Sequence, residues 1–425
     1  MAQSEATTNV PMQHLADLEA VDPQVHDAIV SETKRQQNGL ELIPSENYVS
    51  RAVLAAIGTV FTNKYSEGYP NKRYYGGNEN VDDVETLAQE RALALFGAEH
   101  ANVQPYSGSP ANQAVYYALL EPGDTVMGMS LPAGGHLTHG WKVNFSAHYY
   151  QTVQYGVDAE TGLLDYDAIW QLAKEHKPKL IWAGASAYSR KIDFDRFAEI
   201  AEDVGARLAA DIAHISGLVA TGLHPDPVPV ADAVSMTTHK MLRGPRGAMV
   251  LTKEEHSRAL DRAVFPGLQG GPHDHTTAGI AVCLSEASMP AYRTYCQQVV
   301  TNAQAMADEL TRRGFKVVTG GTDNHLMLVD LSNKDVPGKA AQEALDQAHI
   351  TTNANMVPGD KRSAFDPSGI RFGTPAITTR GIGESEARQI AKWLADVIEH
   401  IDDEATIARV RTQVVELCSD FPLWY

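Results

Sequence analysis

Residues 207–212 read RLAADI, and residues 233–238 read AVSMTT before His239 and Lys240. Each is a short apolar run that ends on polar, chemically capable side chains. Similar runs stand at 101–104 (ANVQ), 125–129 (TVMGM), 180–186 (LIWAGAS) and 248–252 (AMVLT). Short runs that stay apolar on successive residues suit strands covered on both faces. Amphipathic stretches at 165–176 and 193–204 separate several of them, the second closed by Gly205. Strand and helix in alternation predict an α/β protein with a mostly parallel sheet. Ligands of such sheets bind outside the carboxyl ends of the strands, so the residues at those ends are the site candidates.

Working outward, Asp22-Pro23 is an N-cap followed by Pro at the first helical position, and Gly39 closes that helix. Its sparse apolar residues, Val25 and Ile29, suit an arm lying across another surface. Residues 40–80, rich in Tyr, Asn and Gly, read as an ordered loop lining a site; Asn80 is then expected to cap a helix running to Phe96. On the other side the rhythm breaks at FPGLQGGPHDH (265–275), and a long helical stretch follows to about 313. Strands GFKVVTG and HLMLVDL, a helix near 338–348 and helices at 383–399 and 403–418 read as a smaller α+β domain. The division expected is an arm at 1–60, a large α/β domain at 61–290 and a small C-terminal domain at 291–425.

The length of 425 residues also points to two domains. With 35 basic and 53 acidic residues the net charge is -18, which repels nucleic acid and anionic membranes, and no long Lys/Arg run forms a local exception. Three cysteines, Cys283, Cys296 and Cys418, make no disulfide framework and fit the reducing cytosol. No targeting pattern is read at the N-terminus, and no apolar stretch reaches the ~20 residues of a membrane span. A cytoplasmic protein is expected.

An Asp buried at a strand end is costly unless it meets a cation. The strand RLAADI ends in Asp211, and AVSMTT leads into Lys240, which precedes a rigid Gly-Pro-Arg-Gly turn. A protonated pyridine nitrogen is a cation that Asp211 could meet, while a nearby Lys forms an imine with an aldehyde on the same ring. This pair is the protein's share of pyridoxal 5'-phosphate (PLP) chemistry. Spacing alone leaves a structural Asp–Lys pair equally open. Tyr106-Ser107-Gly108-Ser109 before a helix makes an anion site for the phosphate, although Ser109 also serves as a plain cap before Pro110. Gln269-Gly270-Gly271 is a second stretch whose backbone can approach a ligand.

These residues lie within nine runs: LIPSENYVS (42–50), TNKYSEGYPNKRYYGG (62–77), ANVQPYSGSPAN (101–112), GGHLTHG (134–140), DIAHISGLVA (211–220), TTHKMLRGPRG (237–247), FPGLQGGP (265–272), GGTDNHL (320–326) and SGIRFGTPAIT (368–378). In this order, from about residue 20 to the C-terminus, they resemble the serine hydroxymethyltransferase (glycine hydroxymethyltransferase) family. The resemblance implies the PLP-dependent transferase fold type I shared with aspartate aminotransferase. That fold has a mostly parallel seven-stranded sheet in a large domain and a smaller α+β domain. It also implies PLP as cofactor, tetrahydrofolate as one-carbon carrier and a homodimer with shared active sites, alone or paired into a tetramer.

Carried over, Lys240 resembles the lysine that holds PLP as a Schiff base, and Asp211 the partner of the pyridine nitrogen. His214 would meet the phenolic oxygen and His136 would stack on the ring. Ser107, Gly108 and Ser109 look like the phosphate turn, which Tyr65 and Gly270-Gly271 reach from the other subunit; Ser186 and His239 complete the cofactor contacts. Arg371 matches the clamp on the amino-acid carboxylate, for which a bidentate guanidinium is well shaped, with Ser45 assisting. Glu67 matches the carboxylate that handles the proton of the substrate hydroxyl or of the folate, with Tyr75 beside it. Leu131, Gly135, Leu137, Asn355, Ser363, Ala364 and Phe365 match folate-contacting positions. No metal is expected.

Five positions depart from the family pattern: Pro110, Ala133, Trp141, Ser216 and Met241. Trp141 and Met241, larger or more apolar than usual, are expected to reshape the pocket near the ring. The activity implied is the reversible conversion of L-serine and tetrahydrofolate to glycine and 5,10-methylenetetrahydrofolate. The departures keep 2-methylserine hydroxymethyl transfer to D-alanine and folate-independent cleavage of 3-hydroxy amino acids as alternatives. A PLP aminotransferase and a non-catalytic binding protein on the same scaffold are the rivals from other classes.

Overall fold

The computed structural model describes residues 10–425, with side chains from Leu15 onward. Seven strands form its central sheet: β1 His100–Asn102, β2 Thr125–Met129, β3 Gln151–Tyr155, β4 Leu180–Gly184, β5 Arg207–Asp211, β6 Ala233–Thr237 and β7 Ala248–Thr252. Their order is β1-β7-β6-β5-β4-β2-β3, and only β7 runs against its neighbours. Strands β4, β6 and β7 are buried along their whole length, as unbroken apolar runs require when both sheet faces are covered. Helices Tyr166–His176 and Phe194–Val204 cover the sheet, their first turns capped by Asp165 and Asp193.

Strand β3 is not legible in the apolar pattern. It is QTVQY, an edge strand whose side chains are mostly half-exposed, so nothing selects for an apolar run. The helix expected from Asn80 begins at Glu79 with Asn78 at the cap position, and the loop expected over 40–80 contains a Ser50-capped helix, Arg51–Ile57. At seven residues, Arg51–Ile57 spans barely two turns, too few to show a helical period in the sequence.

The smaller unit holds four antiparallel strands: β8 Lys316–Val317, β9 Leu326–Asp330, β10 Asn353–Asn355 and β11 Gly369–Gly373, in the order β8-β9-β11-β10. The run GFKVVTG yields only two strand residues, because Val318–Gly320 turns and Thr319 takes φ 65. Helices Gly338–Gln347, Glu384–Glu399 and Glu404–Asp420 pack against the sheet.

Two large apolar clusters meet along the helix Pro290–Arg312: Tyr292 to Val300 join the first and Ala303 to Leu310 the second. Leu40 and Leu42 bury completely in the second, where Leu40 pairs with Ile350. The chain after the helix Pro23–Asn38 therefore returns to the smaller unit before entering the larger one. This return carries residues 45–47 to the junction of the two.

Candidate active site

A cavity of about 550 Å³ opens where the carboxyl ends of β1, β2, β4, β5 and β6 meet the smaller unit. The strand ends deliver Ser107, Gly108 and Ser109, then Leu131, Gly135, His136 and Leu137, then Ser186, His214, His239 and Lys240. Asp211 and Asn112 line a small cavity of about 20 Å³ beside it, which shares Gly108, His136, Ser186, His214 and Lys240 with the larger one. Across the mouth stand Arg371 on β11, Asn355 on β10 and Ala364, with Ser45 from the N-terminal return.

The carboxylate of Asp211 is held from three sides. His139 Nε2 lies 3.0 Å from Oδ2, Asn112 Nδ2 donates to the same oxygen at 2.9 Å, and the Ala213 N–H donates to Oδ1 at 3.0 Å. Burial alone would raise its pKa, but the contacts with His139, His136 and Asn112 outweigh burial and hold it below the usual carboxylate range. Asn112 is itself fixed by Thr138 and by the Ser235 hydroxyl, and His139 stacks on Trp182 with centroids 5.3 Å apart. Asn112, Thr138 and His139 are not among the residues expected from sequence. The signal that could have found them is local: Asn112 is one turn into the helix after Ser107-Gly108-Ser109, and His139 follows His136 by one tight turn.

Lys240 makes no ion pair among the described residues. Its backbone carbonyl accepts from Asn47 Nδ2 at 3.0 Å, and the turn that follows is tied back by Gly244 N–H to Thr238 O at 2.7 Å. Burial, and behind it the charges of Arg371 and Arg246, lower the Lys240 pKa to about 8 against the pull of Asp211. Part of the population is then a free amine at neutral pH, as a nucleophile requires. Burial likewise lowers His136 to about 4 and His239 to about 3, so both rings are neutral. In apoprotein mixed with PLP, the rate of covalent attachment should climb with pH and level off above about 8, measured by stopped-flow absorbance. A rate still climbing about tenfold per pH unit between pH about 8 and 10 would contradict the lowered lysine.

Arg371 has no carboxylate partner among the described residues. Its Nε donates to Asn353 Oδ1 at 3.1 Å and its Nη1 to the Ser186 carbonyl, and burial lowers its pKa to about 10. A guanidinium taken out of water without a counter-ion is a site built for an incoming anion. Arg371→Ala should raise KM for the amino acid by about 100-fold, with Arg371→Lys recovering only part of the loss, because a single ammonium cannot grip both carboxylate oxygens.

The donor set fits PLP. The helix Gly108–Leu119 starts without a side-chain cap bond, and the hydroxyls of Ser107 and Ser109 have no partner among the described residues, which leaves an anion cradle at its N-terminus. His239 Nδ1 is buried without a hydrogen bond. Backbone comes in close at Gly135, where an added Cβ would stand 2.0 Å from the Met129 carbonyl oxygen, so only glycine lets His136 lie along the cavity wall. His136, His139 and Asp211 also bring ligand atoms within 4.8 Å of one another, but hydrogen bonds to Thr138, to Asn112 and between His139 and Asp211 already engage them.

The remaining expected residues fall elsewhere. Tyr65, Glu67, Tyr75, Gly270 and Gly271 do not line the cavity but gather on the surface as one group. The Tyr65 hydroxyl donates to Glu67 Oε1 at 3.3 Å, the Tyr65 and Tyr75 rings meet edge-on at 5.3 Å, and a Cβ on Gly270 would lie 3.2 Å from Glu67 Oε1. Ser363 and Phe365 flank Ala364 in solvent, Phe365 being 93% exposed. Neither Trp141 nor Met241, the two departures placed near the ring, lines the cavity. Met241 is fully buried in the first apolar cluster with its Cβ near Gly217, and Trp141 lies outside the cavity beneath Lys142. Pro110, Ala133 and Ser216 do not line the cavity either.

Comparison with known proteins bears on the whole of this arrangement. The family described as serine hydroxymethyltransferase matches residues 18–394. A serine hydroxymethyltransferase of Sorangium cellulosum is 56% identical over 411 residues, covering 97% of both chains. That of Acidothermus cellulolyticus is 59% identical over 414 residues, 96% of this chain and 97% of the relative. One from Legionella pneumophila is 58% identical over 405 residues, 95% of this chain and 97% of the relative. With its seven-stranded, mostly parallel sheet and smaller C-terminal unit, this chain belongs to the serine hydroxymethyltransferase family, whose fold is PLP fold type I.

Proposed function

We propose that this protein is a serine hydroxymethyltransferase, interconverting L-serine plus tetrahydrofolate with glycine plus 5,10-methylenetetrahydrofolate. The observation that carries the reading is a lysine with lowered pKa that lines two adjoining cavities, one also lined by an arginine without a counter-ion and the other by a buried, hydrogen-bonded aspartate.

PLP, when bound, supplies the electron sink for the pair released as the Cα–Cβ bond of the substrate breaks. Each of the chain's residues has a part in this. Lys240 offers its free amine as the Schiff-base partner. Asp211, kept ionised by His139 and Asn112, holds a proton on the pyridine nitrogen. Ser107, Ser109 and the helix N-terminus receive the phosphate, with Gly108 between them. His136 gives the ring a flat neutral face, Ser186 and His239 border it, and His214 meets the phenolic oxygen. Arg371 grips the substrate carboxylate, helped by Ser45, and so orients the bond to be broken. Leu131, Gly135, Leu137, Asn355 and the 363–365 stretch form the entrance for folate, where the half-exposed Leu137 offers an apolar contact to a ring.

Tyr65, Glu67, Tyr75 and Gly270-Gly271 act in the cavity of a second copy, with Glu67 moving the proton of the substrate hydroxyl. The surface around them supports this: Tyr65, Tyr74, Tyr75, Tyr117 and Leu268 are all exposed large side chains. A patch of that kind marks an interface. Mixing inactive Lys240→Ala subunits with inactive Glu67→Ala subunits should restore about a quarter of the sites by random pairing in a twofold dimer. No recovery on mixing, with subunit exchange verified, would refute sharing. Three free, buried cysteines fit a reducing compartment, and we assign the protein to the cytoplasm. No helix among the described residues is long and apolar enough to cross a membrane.

L-serine rather than 2-methyl-L-serine is favoured because none of the five departing residues lines the cavity. The deciding assay gives the PLP-loaded protein tetrahydrofolate with each amino acid in turn. Glycine formed from L-serine much faster than D-alanine from its 2-methyl analogue supports the reading. The opposite order, or keto-acid formation instead, overturns it.

A further inference from the structure

His325 is fully buried and does not line the cavity, yet it stands against a residue that does. Its Nε2 lies 3.3 Å from His214 Nδ1, with the two rings 5.5 Å apart and 25° from parallel. Because that contact occupies Nδ1 of His214, Nε2 is the nitrogen left to face the cavity, and it has no partner among the described residues. Burial and the charges of Lys240 and Arg371 push both rings far below the usual histidine pKa, so each carries a single N–H.

Two neutral rings can share that contact in two ways. If His214 donates, its Nε2 is bare toward the cavity, and the N–H of His325 sits on Nδ1. That atom is buried without a hydrogen bond, so an N–H there would be an orphan donor facing a field made positive by Arg371 and Lys240. If His325 donates, the orphan is a lone pair, which the same two cations stabilise. The second arrangement wins on both counts.

We propose that His325 is a positioning residue that fixes the tautomer of His214: His325 Nε2–H donates to His214 Nδ1, and His214 Nε2–H is thereby presented to the cavity as a donor for the phenolic oxygen of the cofactor. This rests on the reading in which His214 meets that oxygen. The bond also joins the two units of the fold. His325 immediately precedes β9, and its carbonyl accepts from the Thr374 N–H at 3.0 Å. Arg371 is on the neighbouring strand, opposite Leu328. One small sheet thus carries both the arginine proposed for the substrate carboxylate and the histidine behind the cofactor contact.

The test is a double-mutant cycle read by PLP affinity, titrating apoprotein by absorbance. His325→Phe should weaken PLP binding by about tenfold, the scale of one lost hydrogen bond, and by less than about twofold when His214 is already Phe. His325→Gln, which keeps a donor near the Nε2 position, should stay within about twofold of wild type. An equal loss in both backgrounds, or no loss in His325→Phe, overturns the proposal. Nitrogen NMR of the unmutated holoprotein, labelled in histidine, gives a second reading free of folding defects. A protonated Nε2 and bare Nδ1 on His214 support it, and the reverse pattern overturns it. Failure of the PLP reading itself would show separately, as no borohydride-fixed PLP on Lys240 of the wild type.

Discussion

Lys240→Ala should lower turnover by 10⁴-fold or more, on the order of the loss seen when a covalent catalyst is removed outright. The substitution deletes the amine from a cavity wall, where solvent can take its place, so no apolar void is made. The loop stays tied, because Asn47 grips the Lys240 backbone carbonyl and Gly244 closes on Thr238, contacts that owe nothing to the side chain. The thermal midpoint should therefore remain near that of wild type while activity vanishes. Borohydride reduction followed by mass spectrometry is the direct check: PLP mass should be fixed to the wild type at Lys240 and absent from the variant. Appreciable glycine formation by a folded Lys240→Ala protein would remove the central assignment.

Asp211→Asn is expected to cost activity on the order of 10³-fold, the scale of losing a charge aimed at the reacting group. The three groups around this carboxylate, His139 Nε2, Asn112 Nδ2 and the Ala213 N–H, all point toward it. An amide in its place brings a second NH₂ into a ring of donors and removes the negative charge that would hold the pyridine proton. One buried donor is then left without an acceptor, which costs about 1–3 kcal/mol of stability. Activity and thermal midpoint should fall together here, in contrast to Lys240→Ala. Unchanged kcat in Asp211→Asn would mean that the carboxylate serves only its neighbours' hydrogen bonds. Asp211→Glu separates the two effects, since it keeps the charge and disturbs the fit.

The chemistry of the cavity was legible because it lies where the fold always puts it. Asp211, His214, His239 and Lys240 follow strands that announce themselves as apolar runs, and a parallel sheet sends all such ends to one side. Ser107-Gly108-Ser109 was legible for a similar reason, since a small turn before a helix is local. His325 was not: it stands more than a hundred residues from His214, and nothing around it in the sequence points there. The same holds for Asn353, which meets Arg371 only because β10 and β11 pair.

Local pattern determined the α/β class, the strand ends and the residue types able to do PLP chemistry, because periodicity and turn chemistry act over a few neighbouring residues. Tertiary structure alone decided three things. It added the polar edge strand β3, which is held on one side only and needs no apolar signature. It placed Met241 in the core and Trp141 away from the cavity, a matter of which way a side chain points once the chain has turned. And it divided the expected site into a group inside the cavity and a group, Tyr65, Glu67, Tyr75 and Gly270-Gly271, gathered on the surface. That division depends on packing between segments some two hundred residues apart, which no stretch of sequence contains.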